Sequence, residues 1–385
     1  MPRLLLLTPS ELTADPRARR QAAAAFAAGV DVVGLCGRIG GAAQAPLAGL
    51  RVVRVGRAGR TSARHEAASP RREVRLLQEL RGIVRLLRLG LRTIQLARAG
   101  RRLGRFDIVH ANDLDTIVAG WLLARRNGAE LVYDAHELYS EFDAEAPRLA
   151  RRILLSVEAL LARRAATVVT VSGPLADELR RRLRLRTRPL VVLNAPARNE
   201  SEPSPDASGF VYQGAFGPGR PLEDLLAAAA RAPSVRLTIR VVRFDTARLR
   251  DAVAAHGLVE RVAIAEPLPP DRLLDGLRDF GVGVIFDRPA TRNSELSLPN
   301  KLFEYLMAGL AVVVPRLEAL GPFVDEHRVG IAYEAGSTDA LAEALEELAT
   351  SPALTAELRA NARRLALERF NAEAQEQTLL RAWGL

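Results

Sequence analysis

The sequence predicts an α/β protein made of two doubly wound domains, each a parallel sheet with helices on both faces. Three observations carry that expectation. The 385 residues exceed one ordinary core and suit two domains of roughly 100 to 200 residues each. Short apolar runs alternate with helix-like stretches along most of the chain, which is the rhythm of βαβ units. A polar, proline- and serine-rich break around Pro196 to Ser208 separates one such series from a second.

In the first series, Arg3 to Thr8 reads as a buried strand, Arg17 to Ala28 as a helix closed by Gly29, and Asp31 to Leu35 as a second strand. Phe106 to His110 and Ala129 to Tyr133 are further strands. The helix between them, Leu114 to Arg126, is ended by Asn127 and Gly128. Thr167 to Val171 and Leu190 to Leu193 continue the pattern. After the break come Phe210 to Gln213, a glycine-rich turn, a helix over Leu222 to Ala230, and strands at Val235 to Val242, Arg261 to Ala265, Val282 to Phe286 and Ala311 to Val314. A capped amphipathic helix over Ala340 to Leu348 leads into a helical end from Pro352. The expected boundaries are 1–195 for the first domain, 196–208 for a linker, 209–370 for the second domain and 371–385 for a terminal helix that packs back toward the first. In such sheets ligands sit beyond the carboxyl ends of the strands.

Composition narrows the function. The single cysteine, Cys36, excludes an intramolecular disulfide and a cysteine-based zinc cage. No apolar run reaches membrane-spanning length and Pro2 to Leu7 is too short for a signal-peptide core, so a cytoplasmic setting is expected. The net charge of +10 is concentrated: residues 51–105 hold sixteen arginines against Glu66, Glu73 and Glu79. With aromatics at 5%, this is not the spread, aromatic-laced surface of a nucleic-acid binder.

Lys301 is the only lysine among fifty-five cationic side chains. Where arginine serves wherever charge suffices, a retained ammonium marks a specific task. It lies in Ser297-Leu298-Pro299-Asn300-Lys301-Leu302-Phe303-Glu304, where proline opens and Gly309 closes a short helix. A helix N-terminus with a lysine beside it suits a phosphate or diphosphate. Glu304, one turn on, suits hydroxyls such as those of a ribose. In the same domain, Gln213-Gly214-Ala215-Phe216-Gly217-Pro218-Gly219-Arg220 places glycines and an arginine in a βα turn. There backbone N–H groups and Arg220 can meet phosphate oxygens.

These segments, with Asp15-Pro16-Arg17-Ala18-Arg19-Arg20, Val109-His110-Ala111-Asn112-Asp113-Leu114-Asp115-Thr116, Leu131-Val132-Tyr133-Asp134-Ala135-His136-Glu137-Leu138-Tyr139 and Asn194-Ala195-Pro196, resemble the retaining, nucleotide-sugar-dependent glycosyltransferases of family 4 over nearly the whole chain. The resemblance implies a GT-B fold, two Rossmann-like domains facing a cleft. It also implies a nucleoside-diphosphate-sugar donor, a carbohydrate or lipid-linked acceptor, and neither metal nor other cofactor. Lys301 and Arg220 would hold the donor diphosphate, Gly214 would give it backbone room, Asn300 would line the donor site and Glu304 would bind the ribose. His136 would stand near the reacting sugar. The family pairs Glu304 with a second glutamate eight positions earlier, where this chain has Leu296; Glu295, one place off, is the candidate sugar contact. A sugar-nucleotide epimerase or phosphorylase of the same architecture, and a non-catalytic nucleotide-sugar-binding subunit, remain open alternatives.

Two further readings concern single features. Asp113-Leu114-Asp115 has the spacing of a metal-binding pair, but helix N-capping by Asp113 or Asp115 is the preferred reading, and His110 reads as a core histidine. Over 71–102, Arg81, Arg85, Arg88 and Arg92 form one helical stripe, with Leu76, Leu80, Ile83, Leu87 and Ile94 opposite. That helix fits either a solvated face over a core or an anionic membrane surface, which would make the protein peripheral on the inner membrane face.

Overall fold

Four consecutive leucines, Leu4 to Leu7, have no solvent exposure at all, so strand β1 (Arg3–Thr8) is buried on both faces. A computed structural model describes residues 1–37, 47–56, 75–139, 148–217, 219–242, 244–269, 272–289 and 291–385, with side chains in the helix at 75–101 described from Gly82 onward. The chain divides into two units, Met1–Leu193 with Gln375–Leu385, and Asn194–Ala374.

In the first unit β1 is joined by β2 (Asp31–Gly37), β3 (Arg51–Val55), β4 (Ile108–Asn112), β5 (Glu130–Asp134), β6 (Thr167–Thr170) and β7 (Leu190–Val191). All pair in parallel in the order β3-β2-β1-β4-β5-β6-β7. The helices are α1 (Pro16–Ala27), α2 (Arg75–Arg101), α3 (Leu114–Asn127), α4 (Arg148–Ala162) and α5 (Gly173–Leu183). Alternation along the central strand sorts the core into two layers. Leu4 and Leu6 pack in a cluster with Ala18 and Ala22 of α1, while Leu5 and Leu7 pack with Leu96 of α2 and Ala119 and Leu123 of α3. Leu379, Ala382 and Trp383 belong to the first of these layers.

Asp15 shows why α1 begins where it does. Its carboxylate accepts from the N–H groups of Arg17 and Ala18, and Pro16 occupies the first turn. The other end of a helix is illustrated by α3, closed by Gly128 at φ 66°.

The second unit contains β8 (Phe210–Gly214), α6 (Leu222–Arg231), β9 (Leu237–Val241), α7 (Thr246–Ala255), β10 (Val262–Ala265), β11 (Val282–Val284), α8 (Arg292–Leu296), α9 (Asn300–Met307), β12 (Ala311–Pro315), α10 (Leu320–His327), β13 (Gly330–Tyr333), α11 (Thr338–Thr350) and α12 (Pro352–Glu368). Its sheet is parallel throughout, in the order β10-β9-β8-β11-β12-β13. The strand order reverses between β8 and β11, which is where an open α/β sheet leaves a crevice for ligand. Residues 194–208 run without regular structure against this unit. Ser204 and Ser208 donate to the carbonyls of Arg278 and Asp279, and Arg363 donates to the carbonyl of Ser201. The last helix, α13 (Ala372–Ala382), starts in this unit, and its residues from Gln375 on belong to the first.

The stripe expected on α2 needs correcting. The side chains of Leu76, Leu80 and Arg81 lie outside the described residues, and Arg85 and Arg88 are exposed as expected. Arg92 instead turns inward to pair with Asp115 at 3.6 Å, at 19% side-chain exposure. Ile83, Leu87 and Ile94 are not covered by the core, being 46%, 62% and 46% exposed, because the helix buries Thr93, Leu96 and Ala97 in their place.

Candidate active site

The crevice of the second unit is built from three segments. Helix α9 starts at Pro299, in an extended conformation at its N-cap, and buries Leu302, Phe303, Tyr305, Leu306 and Met307. Its anchor is Tyr305, whose hydroxyl accepts from the Gln213 N–H at 3.0 Å, tying the helix to the end of β8. Gly283 on β11 makes room for that ring: a Cβ there would come within 2.3 Å of it.

So anchored, the helix places Lys301 with only 10% of its side chain exposed. Its Nζ lies 5.1 Å above the Tyr212 ring and 3.7 Å from Asp287 Oδ2, and it makes no hydrogen bond. Burial pulls the ammonium below its ordinary pKa, against the opposing pull of Asp287. A buried donor group without a hydrogen bond costs free energy until something supplies an acceptor.

The glycine turn faces it. Gly214 has φ 154°, and a Cβ there would sit 3.2 Å from the Tyr212 hydroxyl and 3.8 Å from Lys301 Nζ. Gly217 and Arg220 exchange backbone hydrogen bonds, closing the turn, and Arg220 Nε meets Asp287 Oδ1 at 3.0 Å. Asn300 is exposed at the start of α9 and Glu304 is half-buried one turn on, close enough to Lys301 to act on its charge. Asp287, three residues past β11, thus stands between both cations, and sequence reasoning missed it. Its only signal was an acidic residue just beyond a buried strand at the switch point.

On the neighbouring helix α8, Leu296 is fully buried. Glu295 accepts from Arg292 at 2.8 Å, and Arg292 also reaches Glu318, so a sugar hydroxyl at Glu295 would compete with that ion pair.

The first unit carries a separate polar cluster at the carboxyl ends of β4 and β5. Asp134 has no solvent exposure and binds Arg17 by two bonds, Nε to Oδ2 at 2.8 Å and Nη2 to Oδ1 at 2.9 Å. Burial pushes its carboxyl up, but Arg17 and His136 outweigh that and hold it well below the usual carboxylate range. Gln21 and Asn112 exchange amide hydrogen bonds beside it.

His136 sits over this floor. Its Nε2 is 3.1 Å from Asn112 Oδ1 and 3.4 Å from Asp134 Oδ1, while its Nδ1 is 3.2 Å from Asp113 Oδ1. Burial works against the charged ring, yet Asp134 and Asp113 raise its pKa above the ordinary value. Each ring nitrogen thus has an oxygen acceptor within 3.2 Å. Next to it, Glu137 is pushed up to about 7 by burial and by Asp113.

Asp113 corrects the capping expectation. It occupies the N-cap position of α3 but makes no side-chain cap bond. Its carboxylate accepts from the Tyr139 hydroxyl and faces His136 instead. Its backbone, at φ 68° and ψ 158°, lies in a region that is close to glycine-only. Asp115 pairs with Arg92. His110 is buried, hydrogen-bonded and packed edge-on against Trp383. Among the described residues no group of three or more metal-ligating side chains comes together.

Two Rossmann-like units in one chain, the second with a pair of cations at its switch point, define the class by fold: a GT-B protein. Comparison with known proteins supplies the family. Residues 13–195 match the glycosyl transferase 4-like domain and residues 220–381 the glycosyl transferase-like domain, and the chain belongs to the group 1 glycosyltransferases. It is similar to the 2-deoxystreptamine N-acetyl-D-glucosaminyltransferase of Streptomyces fradiae, 30% identical over 229 residues, 51% of this chain and 53% of that one. The chain thus spans about half the length of this relative.

Among solved structures it is similar to sucrose-phosphate synthase of Thermosynechococcus elongatus, with a TM-score of 0.75 at 18% identity over 100% of this chain and 98% of that one. It is also similar to HepE of Anabaena in complex with UDP, with a TM-score of 0.68 at 15% identity over 100% of both chains. At these identities the likeness is one of fold.

Proposed function

We propose that this enzyme transfers a sugar from a nucleoside-diphosphate donor to an acceptor hydroxyl with retention of anomeric configuration, without a metal or other cofactor. The observation that carries the donor reading is Lys301: a buried ammonium without a hydrogen bond, opposite a glycine turn and an arginine, at the switch point of its sheet. A diphosphate supplies the acceptors this ammonium lacks. Lys301 and Arg220 stabilise the charge that develops on the leaving diphosphate, and Gly214 lets it approach the backbone. Glu304 accepts from the ribose hydroxyls and Asn300 lines the same subsite. Glu295 contacts the sugar only if it leaves Arg292.

In the first unit, His136 has Asp113 3.2 Å from Nδ1 and Asp134 3.4 Å from Nε2, and its assigned role is to orient sugar oxygens during transfer. Support for a nucleotide-sugar donor also comes from HepE, a protein of the same fold solved with UDP-glucose. A carbohydrate acceptor follows the pattern of the Streptomyces relative, whose name states transfer to 2-deoxystreptamine. The basic, apolar face of α2 supports an anionic membrane surface as a partner, with the acceptor lipid-linked and the product a glycolipid or cell-surface polysaccharide. This would place a cytoplasmic enzyme on the inner membrane face.

The test is a calorimetric and thermal-shift screen with UDP, GDP, ADP, dTDP and their sugars, without added metal. One nucleotide should raise the melting temperature in proportion to RT ln(1 + [L]/Kd). If none binds to wild type, or if binding survives unchanged in Lys301→Ala, the donor site is elsewhere.

A further inference from the structure

Asp287 is the one residue whose carboxylate meets both cations of the crevice, among the contacts described. Its oxygens are divided between them: Oδ1 lies 3.0 Å from Arg220 Nε and Oδ2 lies 3.7 Å from Lys301 Nζ. Its place is fixed by the next residue. Arg288 donates its backbone N–H to the Gly219 carbonyl at 2.7 Å, and its guanidinium grips Asp224 on α6 through two bonds of 2.7 Å. The carboxylate is therefore pinned to the glycine turn and is no passing surface group. At 21% side-chain exposure it is largely withdrawn from water.

Two cations sharing one carboxylate, with Glu304 also acting on Lys301, leave at most a single net positive charge, while a nucleoside diphosphate brings two or more negative charges and needs both cations. A carboxylate within ion-pair distance of each must release at least one, and it repels the incoming phosphates. This inference rests on the diphosphate reading of the crevice and adds a role that neither Lys301 nor Arg220 can perform.

We infer that Asp287 is a resident counter-ion that faces Lys301 and Arg220 where the donor's diphosphate would bind and competes with it, so that the nucleoside diphosphate product is let go after transfer. Product release sets turnover in many enzymes, and a competing carboxylate built into the site weakens binding of the diphosphate product, which carries more negative charge than the donor.

The experiment measures dissociation constants of inorganic pyrophosphate and of UDP by calorimetry, at one ionic strength, for wild type, Asp287→Asn, Asp287→Ala and Lys301→Ala. Far-ultraviolet circular dichroism and melting curves confirm that each variant is folded. Asp287→Asn should bind pyrophosphate at least tenfold more tightly than wild type, and Asp287→Ala should do the same. In steady state, Asp287→Asn should show stronger inhibition by product and a lower kcat. Unchanged or weaker affinity in both Asp287 variants, with binding still lost in Lys301→Ala, overturns the counter-ion role and leaves the diphosphate site standing. If pyrophosphate and UDP both fail to bind wild type, or bind Lys301→Ala equally well, the diphosphate reading fails and this inference with it.

Discussion

Trp383 donates its indole N–H to His110 Nδ1 at 2.9 Å, with the indole 2% exposed and the imidazole fully buried. Because an indole can only donate, Nδ1 must carry a lone pair. The proton of neutral His110 is therefore on Nε2, which has the Gln21 amide nitrogen at 3.1 Å and Asp134 Oδ2 at 3.4 Å. Burial keeps the ring's pKa below its ordinary value. The segment 375–385 thus selects the tautomer that supports Asp134, and Asp134 in turn holds Arg17 and stands beside His136.

Replacing Trp383 by Phe keeps most of the ring and removes the donor. The expected cost is about 1–3 kcal/mol in urea unfolding, the range for leaving a buried acceptor unpaired. The distinguishing readout is nitrogen NMR of His110, which should gain the Nδ1–H tautomer. A spectrum that keeps the wild-type tautomer would show that Asp134 alone selects it.

Asp113 is held at φ 68° with ψ 158°, a conformation that costs about 1–3 kcal/mol for a residue with a Cβ. Asp113→Gly should relieve it, raising the melting temperature by about 2–4 °C per kcal/mol recovered. Transfer activity should fall in the same variant, because His136 loses its Nδ1 acceptor. A variant that is less stable than wild type would mean that the bonds of Asp113 to Tyr139 and His136 outweigh the backbone strain.

These two residues mark where the sequence was legible and where it was not. Strands buried on both faces announce themselves: Arg3 to Thr8 is found as read, and Asp31 to Leu35 differs from β2 by two residues. β3 went unread because Arg51 and Arg54 interrupt its apolar run, and its residues are only half-buried. β13 is four residues long and opens on Gly330, which is needed because a Cβ there would strike the Val312 carbonyl at 1.9 Å. In the crevice, Lys301 was conspicuous as the sole lysine, whereas Asp287 is one of many acidic residues and gains meaning only through its distances to two cations. Asp113 was misread as a cap because the rule for acidic residues before helices assumes an extended backbone at negative φ. The orientation of α2 also depends on its neighbours. Nothing in its own periodicity says that Arg92 turns toward Asp115.

Lys301 offers a comparison of charge against shape. Lys301→Ala should lower donor turnover by about 10²–10³, the range for removing one preorganised donor to a developing anion. Lys301→Arg keeps the charge but brings a planar fork into a space bounded by the Tyr212 ring, and should retain part of the activity. Steady-state kinetics on the three proteins decide it: equal kcat/KM in all would remove the ammonium from the reaction.

Glu158 provides a pH signature for the first unit. Its carboxyl is 2% exposed, accepts from the Tyr133 hydroxyl at 2.9 Å, and is pushed by burial up to about 7. The folded state therefore binds this proton more tightly than the unfolded chain, whose carboxyl titrates near its ordinary value of 4.5. Stability from this group is complete below pH 4.5 and declines as pH rises toward 7, by about 3 kcal/mol in all. Glu158→Gln cannot titrate. The stability difference between variant and wild type, measured by urea unfolding at pH 5 and pH 8, should shift by that amount in favour of the variant at the higher pH. A difference independent of pH would place Glu158 in contact with water or with a cation.

The exposed face of α2 yields the last prediction. Leu87 and Leu91 are each 62% exposed and Ile83 and Ile94 each 46%, with Arg85 and Arg88 exposed on the same helix. An apolar stripe of this kind weakens solubility unless a surface covers it, and arginines beside it favour an anionic one. Each surface cation adds about 1 kcal/mol of attraction to anionic lipid, screened by salt. Arg85→Gln with Arg88→Gln should therefore weaken flotation with anionic vesicles by about tenfold or more at low salt. Leu87→Glu with Leu91→Glu should abolish it at any salt, because the apolar contact itself is lost. Vesicles of neutral lipid should recover little of the wild type. If wild type fails to float with anionic vesicles at low salt, α2 docks no membrane and its apolar stripe has another partner.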